Sequence, residues 1–432
     1  MASTYLSRTT VTPTNGQKGT FSTWVRVDKV GAQKIMINYS DSTNYSYIRF
    51  HPSKFLQCYA TLSDSVVNNY KTERFFLDFN GWYHIVVRID TTQATATDRL
   101  RLYVNGELQT AYDTQTYSGS QNAQHPILIA SATNNHRIGA DEGPADYFNG
   151  LMSHFHFCDG YSYDASAFGE TDATTGEWKI NTSPSVTYGT NGFFILKDGN
   201  SVTDQSGNSN NFTVGGGTLT KTEDCPSNVF ATMNPLSAGS DMAFTFGNTG
   251  IRNDVSTWNS GLSTIAPATG KYYWEVYVHG GGDNNTGVSL SSAYGGTHSE
   301  VDAGRIVYSR NGYIYREGLS GQSNVTTGVT YGDGDYIGVA FDTENGILTF
   351  YKNGTAVTNG STTDTSFLRS NNEYIAQCGL YNGGEFRFNF GNGAFGSTQL
   401  TGTTYQGDGN IGIFKYDPPT GFTALSTKGL NE

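Results

Sequence analysis

The chain has 432 residues, of which 53 are Gly; aromatics make up 13% and charged residues only 15%. That balance favours short strands and tight turns over long helices, and the length suits two domains. A net charge of −12 without a basic run excludes a phosphate-backbone binder, and no apolar run approaches the roughly 18 residues of a membrane span.

Phe21–Val27 alternates, with Phe21, Thr23, Val25 and Val27 on one side and Trp24 and Arg26 on the other. Ile35–Tyr39 and Tyr45–Phe50 repeat the pattern. Gly81–Asp90 is the next strand, followed by a loop at Thr91–Thr97 and a strand at Leu100–Val104 that closes on Asn105-Gly106. In the second half, Ala243–Phe246 and Ile251–Asn253 are weak strands and Gly270–His279 is a strong one. There Tyr272, Trp274, Val276 and Val278 share a side, opposite Tyr273, Glu275 and Tyr277. Thr286–Leu290, Ile306–Ser309 and Gly312–Arg316 continue the series. Tyr336–Phe341 and Ile347–Tyr351 then form a hairpin that ends on Asn353-Gly354, because Asn and Gly accept the positive φ such turns require. Tyr374–Tyr381, Glu385–Phe390 and the tail Pro418–Leu425 complete the set. The expected fold is all-β: two tandem antiparallel β-sandwiches, each with an apolar side inward and a polar, Tyr-rich side outward. Tyr and Thr suit strands in any case, and Tyr also gives recognition surfaces contact area at low entropy cost.

Residues 81–107 resemble the central signature of laminin-G-like, concanavalin-A-like domains, with a Trp-Tyr-His strand, a long loop and a strand ending in Tyr-Val-Asn-Gly. Arg137-Ile138-Gly139, Tyr147-Phe148-Asn149-Gly150 and the strand Leu151–Phe157 follow in the family's order. The longer form, with Phe168-Gly169-Glu170, Thr175-Gly176-Glu177-Trp178 and Asp204–Asn208, is similar to the version found in tailed-bacteriophage virion proteins, over about residues 5–236. The resemblance implies a concanavalin-like jelly roll over 1–213. Asp224–Asn228 and Phe230–Leu236 are similar to a segment that follows the phage unit. Pro226 and Pro235 make 214–239 a stiff, extended connector, anchored by Phe230, Met233 and Leu236. Residues 240–432 resemble a SPRY domain through Gly270–Val276, Gly334–Val339, Leu348–Gly354, Phe388–Gly391 and Pro418–Phe422. That resemblance implies a bent sandwich that binds partners through variable loops, and no catalytic residues come with it.

The residues offer little chemistry of their own. Glycan hydrolases on a concanavalin-like fold carry paired carboxylates on one strand, a spacing absent here; Asp141-Glu142, Asp333 and Asp335 read as turn residues. His154 and His156 stand two apart and so share a face, but two ligands do not make a metal site, and Phe155 and Phe157 mark the buried side. The oxygen-rich loops Asp204–Asn211 and Gly281–Asn285 leave calcium open as a cofactor. Cys58, Cys158, Cys225 and Cys378 form no CxxC and read as free thiols made in a cytoplasm, and MASTYLSRTT lacks a signal-peptide pattern. No catalytic, cofactor-binding or metal residue is assigned, and the ligand-binding residues are left unknown. The expectation is a non-enzymatic component of a tailed-phage virion (tail fibre, spike or capsid-decorating fibre), synthesised in the host cytoplasm. Its expected partners are other virion proteins, copies of itself, and a host-surface glycan or receptor, without nucleic acid or membrane insertion. The alternatives are a glycan-degrading enzyme and a purely structural capsid cement.

Overall fold

The computed structural model describes residues 4–28, 31–78, 81–128, 135–143, 145–197, 201–267, 269–292, 304–316, 324–363, 368 and 373–431. The chain divides into two compact units, Met1–Leu219 and Thr220–Glu432. Each is a β-sandwich, and the described helical turns are short 3-10 pieces.

In the first unit an eight-stranded antiparallel sheet runs, edge to edge, Tyr112–Tyr117, Ser65–Phe75, Phe55–Leu62, Asn44–Phe50, Gln33–Asp41, Asn135–Ile138, Tyr5–Thr9 and Thr213–Gly215. A six-stranded sheet runs Phe193–Ile195, Gly150–Asp159, Lys18–Val27, Tyr83–Asp90, Leu100–Val104 and Glu107–Leu108. Phe21, Val25, Ile85, Val87, Leu102, Phe155 and Phe157 from the second meet Met36, Ile48, Leu56, Cys58 and Tyr70 from the first in one apolar core. Such burial is the main force holding the layers together.

The other side of the six-stranded sheet is not the solvated face that alternation predicts. Trp24 and Arg26 are both buried. A covering segment, with Tyr161, Tyr163, Ala165, Phe168, Trp178, Val186 and Tyr188, lies over Val86, Tyr103 and Cys158. The cover is tied down by polar side chains: Thr20 Oγ1 donates to the Tyr161 carbonyl, and Arg88 Nε donates to Ser162 Oγ.

In the second unit, one sheet runs Met233–Ala238, Asn259–Ser263, Tyr374–Leu380, Asn284–Leu290, Arg305–Ser309, Tyr313–Tyr315 and Val325–Thr326. The other runs Met242–Thr245, Gly250–Asn253, Gly384–Asn389, Lys271–Val278, Tyr336–Asp342, Ile347–Lys352 and Thr355–Thr363. Thr423–Ala424 adds a short parallel pairing to Lys271–Val278, an exception to the expected antiparallel order. Tyr272, Trp274, Val276 and Val278 face the core, as their alternation predicts. The opposite side again lies partly under a cover, where Ile411, Phe414, Phe422 and Ala424 pack on Tyr273, Ala340 and Tyr351.

Residues 214–239 supply strands and core side chains to the two units rather than a separate connector anchored on a domain surface. Thr213–Gly215 pairs with Tyr5–Thr9 in the first unit. Phe230, Ala231 and Met233 are buried in the second, and Met233–Ala238 pairs with Asn259–Ser263. The apolar side chains of this stretch are worth more inside a core than on a domain surface. Leu236, expected as an anchor, is 67% exposed.

Candidate functional site

Three neighbouring strands of the first unit, Gln33–Asp41, Asn44–Phe50 and Phe55–Leu62, set a row of tyrosines on the outer face of the eight-stranded sheet. Side chains two apart on a strand share a face, and directly paired residues lie side by side. Tyr45 and Tyr47 satisfy the first condition; Tyr39 pairs with Tyr45, and Tyr47 with Tyr59. The ring centroids are 6.4 Å apart for Tyr39–Tyr45, 5.9 Å for Tyr45–Tyr59 and 5.3 Å for Tyr47–Tyr59. Tyr39, Tyr45 and Tyr59 are half-buried, so part of each ring meets solvent.

A polar row runs beside the rings. Arg49 Nε donates to Gln57 Oε1 at 2.9 Å, and Gln57 Nε2 donates to Asn69 Oδ1 at 2.8 Å. The Lys34 ammonium lies 3.9 Å from the Tyr47 ring centroid, and the Arg49 guanidinium 4.8 Å from it. Burial pushes the Tyr47 hydroxyl up to about 12, so that ring stays neutral. Lys34 also pairs with Asp141 at 2.9 Å, which engages that carboxylate. Arg49 has no carboxylate partner among the described residues. Flat rings flanked by amides and a guanidinium suit a sugar, which offers C–H faces for stacking and hydroxyls for hydrogen bonds.

Of the residues singled out in the sequence, only Asp141 and Glu142 fall near this row. Asp141 and Glu142 lie in the turn next to the tyrosine row, where Arg137 Nη1 donates to both their carbonyls. Asp333 accepts from the Gly280 N–H, and Asp335 from Gly332 N–H, Asn353 Nδ2 and Lys352 Nζ; both are turn residues.

His154 and His156 both reach Phe194, with ring centroids at 5.7 and 3.9 Å, while Phe155 and Phe157 face the core. They arrive through a β-bulge rather than by regular alternation. The register shifts between Ser153 and His156, and His154 has φ 48°. His154 Nδ1 bonds Ser153 Oγ and His156 Nδ1 bonds Tyr188 Oη, so each imidazole is engaged. Among the described residues no group of three or more His, Cys, Asp or Glu is placed to hold a metal.

Several oxygens of the two oxygen-rich loops are taken internally. Both carboxylate oxygens of Asp204 accept, from Phe194 N–H, Ser206 N–H, Ser206 Oγ and Asn210 N–H. The carbonyls of Gly281 and Gly282 accept from Arg310 Nη1 at 2.8 and 2.7 Å, so a guanidinium takes the place a cation would need. The four cysteines are unpaired.

Sequence reasoning missed a buried histidine network under the cover of the first unit. His84 Nδ1 accepts from Trp178 Nε1 at 2.9 Å, and indole only donates; His84 Nε2 therefore carries the proton it gives to Ser22 Oγ at 2.8 Å. The ring stacks on Trp24 at 4.8 Å. Burial holds His84, His125 and His136 down to about 3, and His156 also well below its ordinary value. All four are neutral at physiological pH. The signal available in the sequence was the recurrence of His inside strand patterns, which does not say what covers them.

Residues 2–166 match the family model described as the concanavalin A-like lectin/glucanases superfamily, and residues 271–393 match the SPRY domain model. Among curated proteins, the ATP-dependent RNA helicase DDX1 of Xenopus laevis is 29% identical over 201 residues, which are 45% of this chain and 23% of that protein. The chain thus spans under a quarter of that relative's length. Among solved structures, the SPRY domain of human HERC1 is 17% identical, covering 36% of this chain and 96% of that one, with a TM-score of 0.29. A human SPRY domain is 17% identical (34% and 94% covered, TM-score 0.27), and the TRIM65 PSpry domain 14% identical (37% and 88%, TM-score 0.28).

Proposed function

We propose that this tandem of a laminin-G-like, concanavalin-like domain and a SPRY domain is a non-enzymatic adhesive component of a tailed-bacteriophage virion that touches host-surface glycan. The observation that carries the glycan role is the row Tyr39, Tyr45, Tyr47 and Tyr59, flanked by Arg49, Gln57 and Asn69. A binding rather than a cleaving role is supported by two of the carboxylates near the rings being engaged, Asp141 by Lys34 and Asp41 by Thr43 and Asn44. General acid–base hydrolysis of a sugar needs two carboxyl groups facing the scissile bond. The virion setting rests on the likeness of about residues 5–236 to phage virion proteins. Contacts of this kind are weak singly and gain strength when many copies act together.

The test is incubation of the protein with host-surface polysaccharide, reading retention on the polymer and new reducing ends together. Retention without new ends, lowered about tenfold by Tyr59→Ala, is expected. Sustained release of reducing ends makes the chain an enzyme. Particles lacking the protein that adsorb normally but have unstable heads make it a cement.

A further inference from the structure

The second unit carries another aromatic patch, on a sheet face that its cover leaves open. Tyr277 and Tyr336 pair directly across neighbouring strands, with ring centroids 4.8 Å apart. Phe395 and Tyr416 meet the Tyr336 ring edge-on, at 5.0 and 5.9 Å. His279 stacks at 5.9 Å on Tyr277. Tyr277, His279, Tyr336, Lys415 and Tyr416 are all half-buried, so the cluster meets solvent.

The charges around it are unevenly satisfied. Lys352 holds Asp335, and Arg387 holds Glu385. Glu275, beneath the patch, is buried and accepts from the N–H groups of Lys415 and Tyr416. The Lys415 ammonium, in contrast, lies over ring faces, 4.7 Å from the Tyr336 centroid and 5.6 Å from that of Tyr416; among the described residues it forms no direct ion pair and feels the Glu275 carboxylate only at longer range. An ammonium over rings gains less than a charge-assisted hydrogen bond to an anion would give. A similar combination, tyrosine rings beside a cation without a direct carboxylate partner among the described residues, recurs in the first unit, where Arg49 lies over Tyr47 and Tyr47 stacks on Tyr59.

We infer that Tyr277, Tyr336 and Lys415 form a second saccharide platform, on the SPRY unit, for an acidic sugar whose ring stacks on the tyrosines and whose anionic group takes Lys415. This rests on the glycan-binding role proposed above and adds a second site with a stated charge preference.

The full chain is screened against uronate, sialylated and sulfated tetrasaccharides and their neutral counterparts, and stoichiometry is read by native mass spectrometry. Two acidic tetrasaccharides per chain are expected, falling to one in Tyr277→Ala/Tyr336→Ala and remaining at one or more in Tyr59→Ala. Lys415→Gln, a change at a half-exposed side chain, is expected to weaken the second site at least tenfold for acidic sugars and leave neutral ones unchanged; it carries the test should the tyrosine variant fail to fold. A single sugar per chain, lost in Tyr59→Ala and indifferent to Lys415→Gln, overturns the second platform and leaves the glycan role standing. No binding of any tetrasaccharide overturns both.

Discussion

Two hairpins, one in each unit, end in Asn-Gly with both residues at positive φ: Asn105-Gly106 and Asn353-Gly354. In both, the Asn side chain accepts from a backbone N–H at the start of a partner strand, His84 in one and Tyr336 in the other, at 2.8 Å. In both, a covering segment seats an aromatic ring where the glycine lacks a Cβ, Trp178 over Gly106 and Tyr416 over Gly354. The buried group that ties the cover down is what differs. The first unit uses a base, His84, bonded to Trp178; the second uses an acid, Glu275, bonded to Lys415, Tyr416 and Asn389. The same layering problem, a second sheet face to be closed, thus has two solutions of opposite acid–base character.

The largest expected effect is a split in pH response. Histidines held down by burial cost stability once the unfolded chain binds protons that the folded one refuses. The loss therefore begins below the ordinary value of 6.5 and grows as pH falls toward about 3. At pH 5 it amounts to about 2 kcal/mol for each such histidine, or on the order of 6 kcal/mol for His84, His125 and His136 together. Burial pushes Glu275 the other way, up to about 7. Its contribution is full below the ordinary 4.5 and is lost as pH rises through about 7. Hydrogen exchange on the full chain from pH 7 to 4 is expected to show the first unit opening while the second stays protected. Simultaneous opening of both breaks the comparison.

Glu275→Gln comes next. It turns one acceptor into a donor facing N–H groups, and is expected to destabilise the second unit alone by about 3 kcal/mol, seen as an earlier thermal transition. Gly106→Ala and Gly354→Ala are each expected to cost about 2 kcal/mol, confined to their own unit, since both combine positive φ with a ring in the way. The smallest effect is Trp178→Phe, which keeps most of the packing but leaves His84 Nδ1 without its donor, at about 1 kcal/mol in the first unit's melting.

The central strands were legible because they alternate strongly: Tyr83–Asp90, Leu100–Val104, Lys271–Val278 and the hairpin strands Tyr336–Asp342 and Ile347–Lys352 stand within two residues of expectation. Phe55–Leu62, Ser65–Phe75, Tyr112–Tyr117 and Thr355–Thr363 were not. In Ser65–Phe75 the buried positions are Asn68, Tyr70 and Thr72, so polarity does not separate the two faces. That gap hid the tyrosine row, because Tyr59 and Asn69 stand on two of those strands. The covers hid the rest. Nothing in the alternation of Trp24 and Arg26 announces that residues some 150 positions later will bury their side of the sheet.

The most direct test of the tyrosine row as the contact surface is to follow its rings by NMR in protein labelled at Tyr, while a bound host-surface oligosaccharide is added and its length is monitored. The ring signals of Tyr39, Tyr45 and Tyr59 are predicted to shift together while the oligosaccharide stays whole. Silent ring signals at these three positions with the sugar demonstrably bound, or a sugar that shortens during the titration, would contradict it.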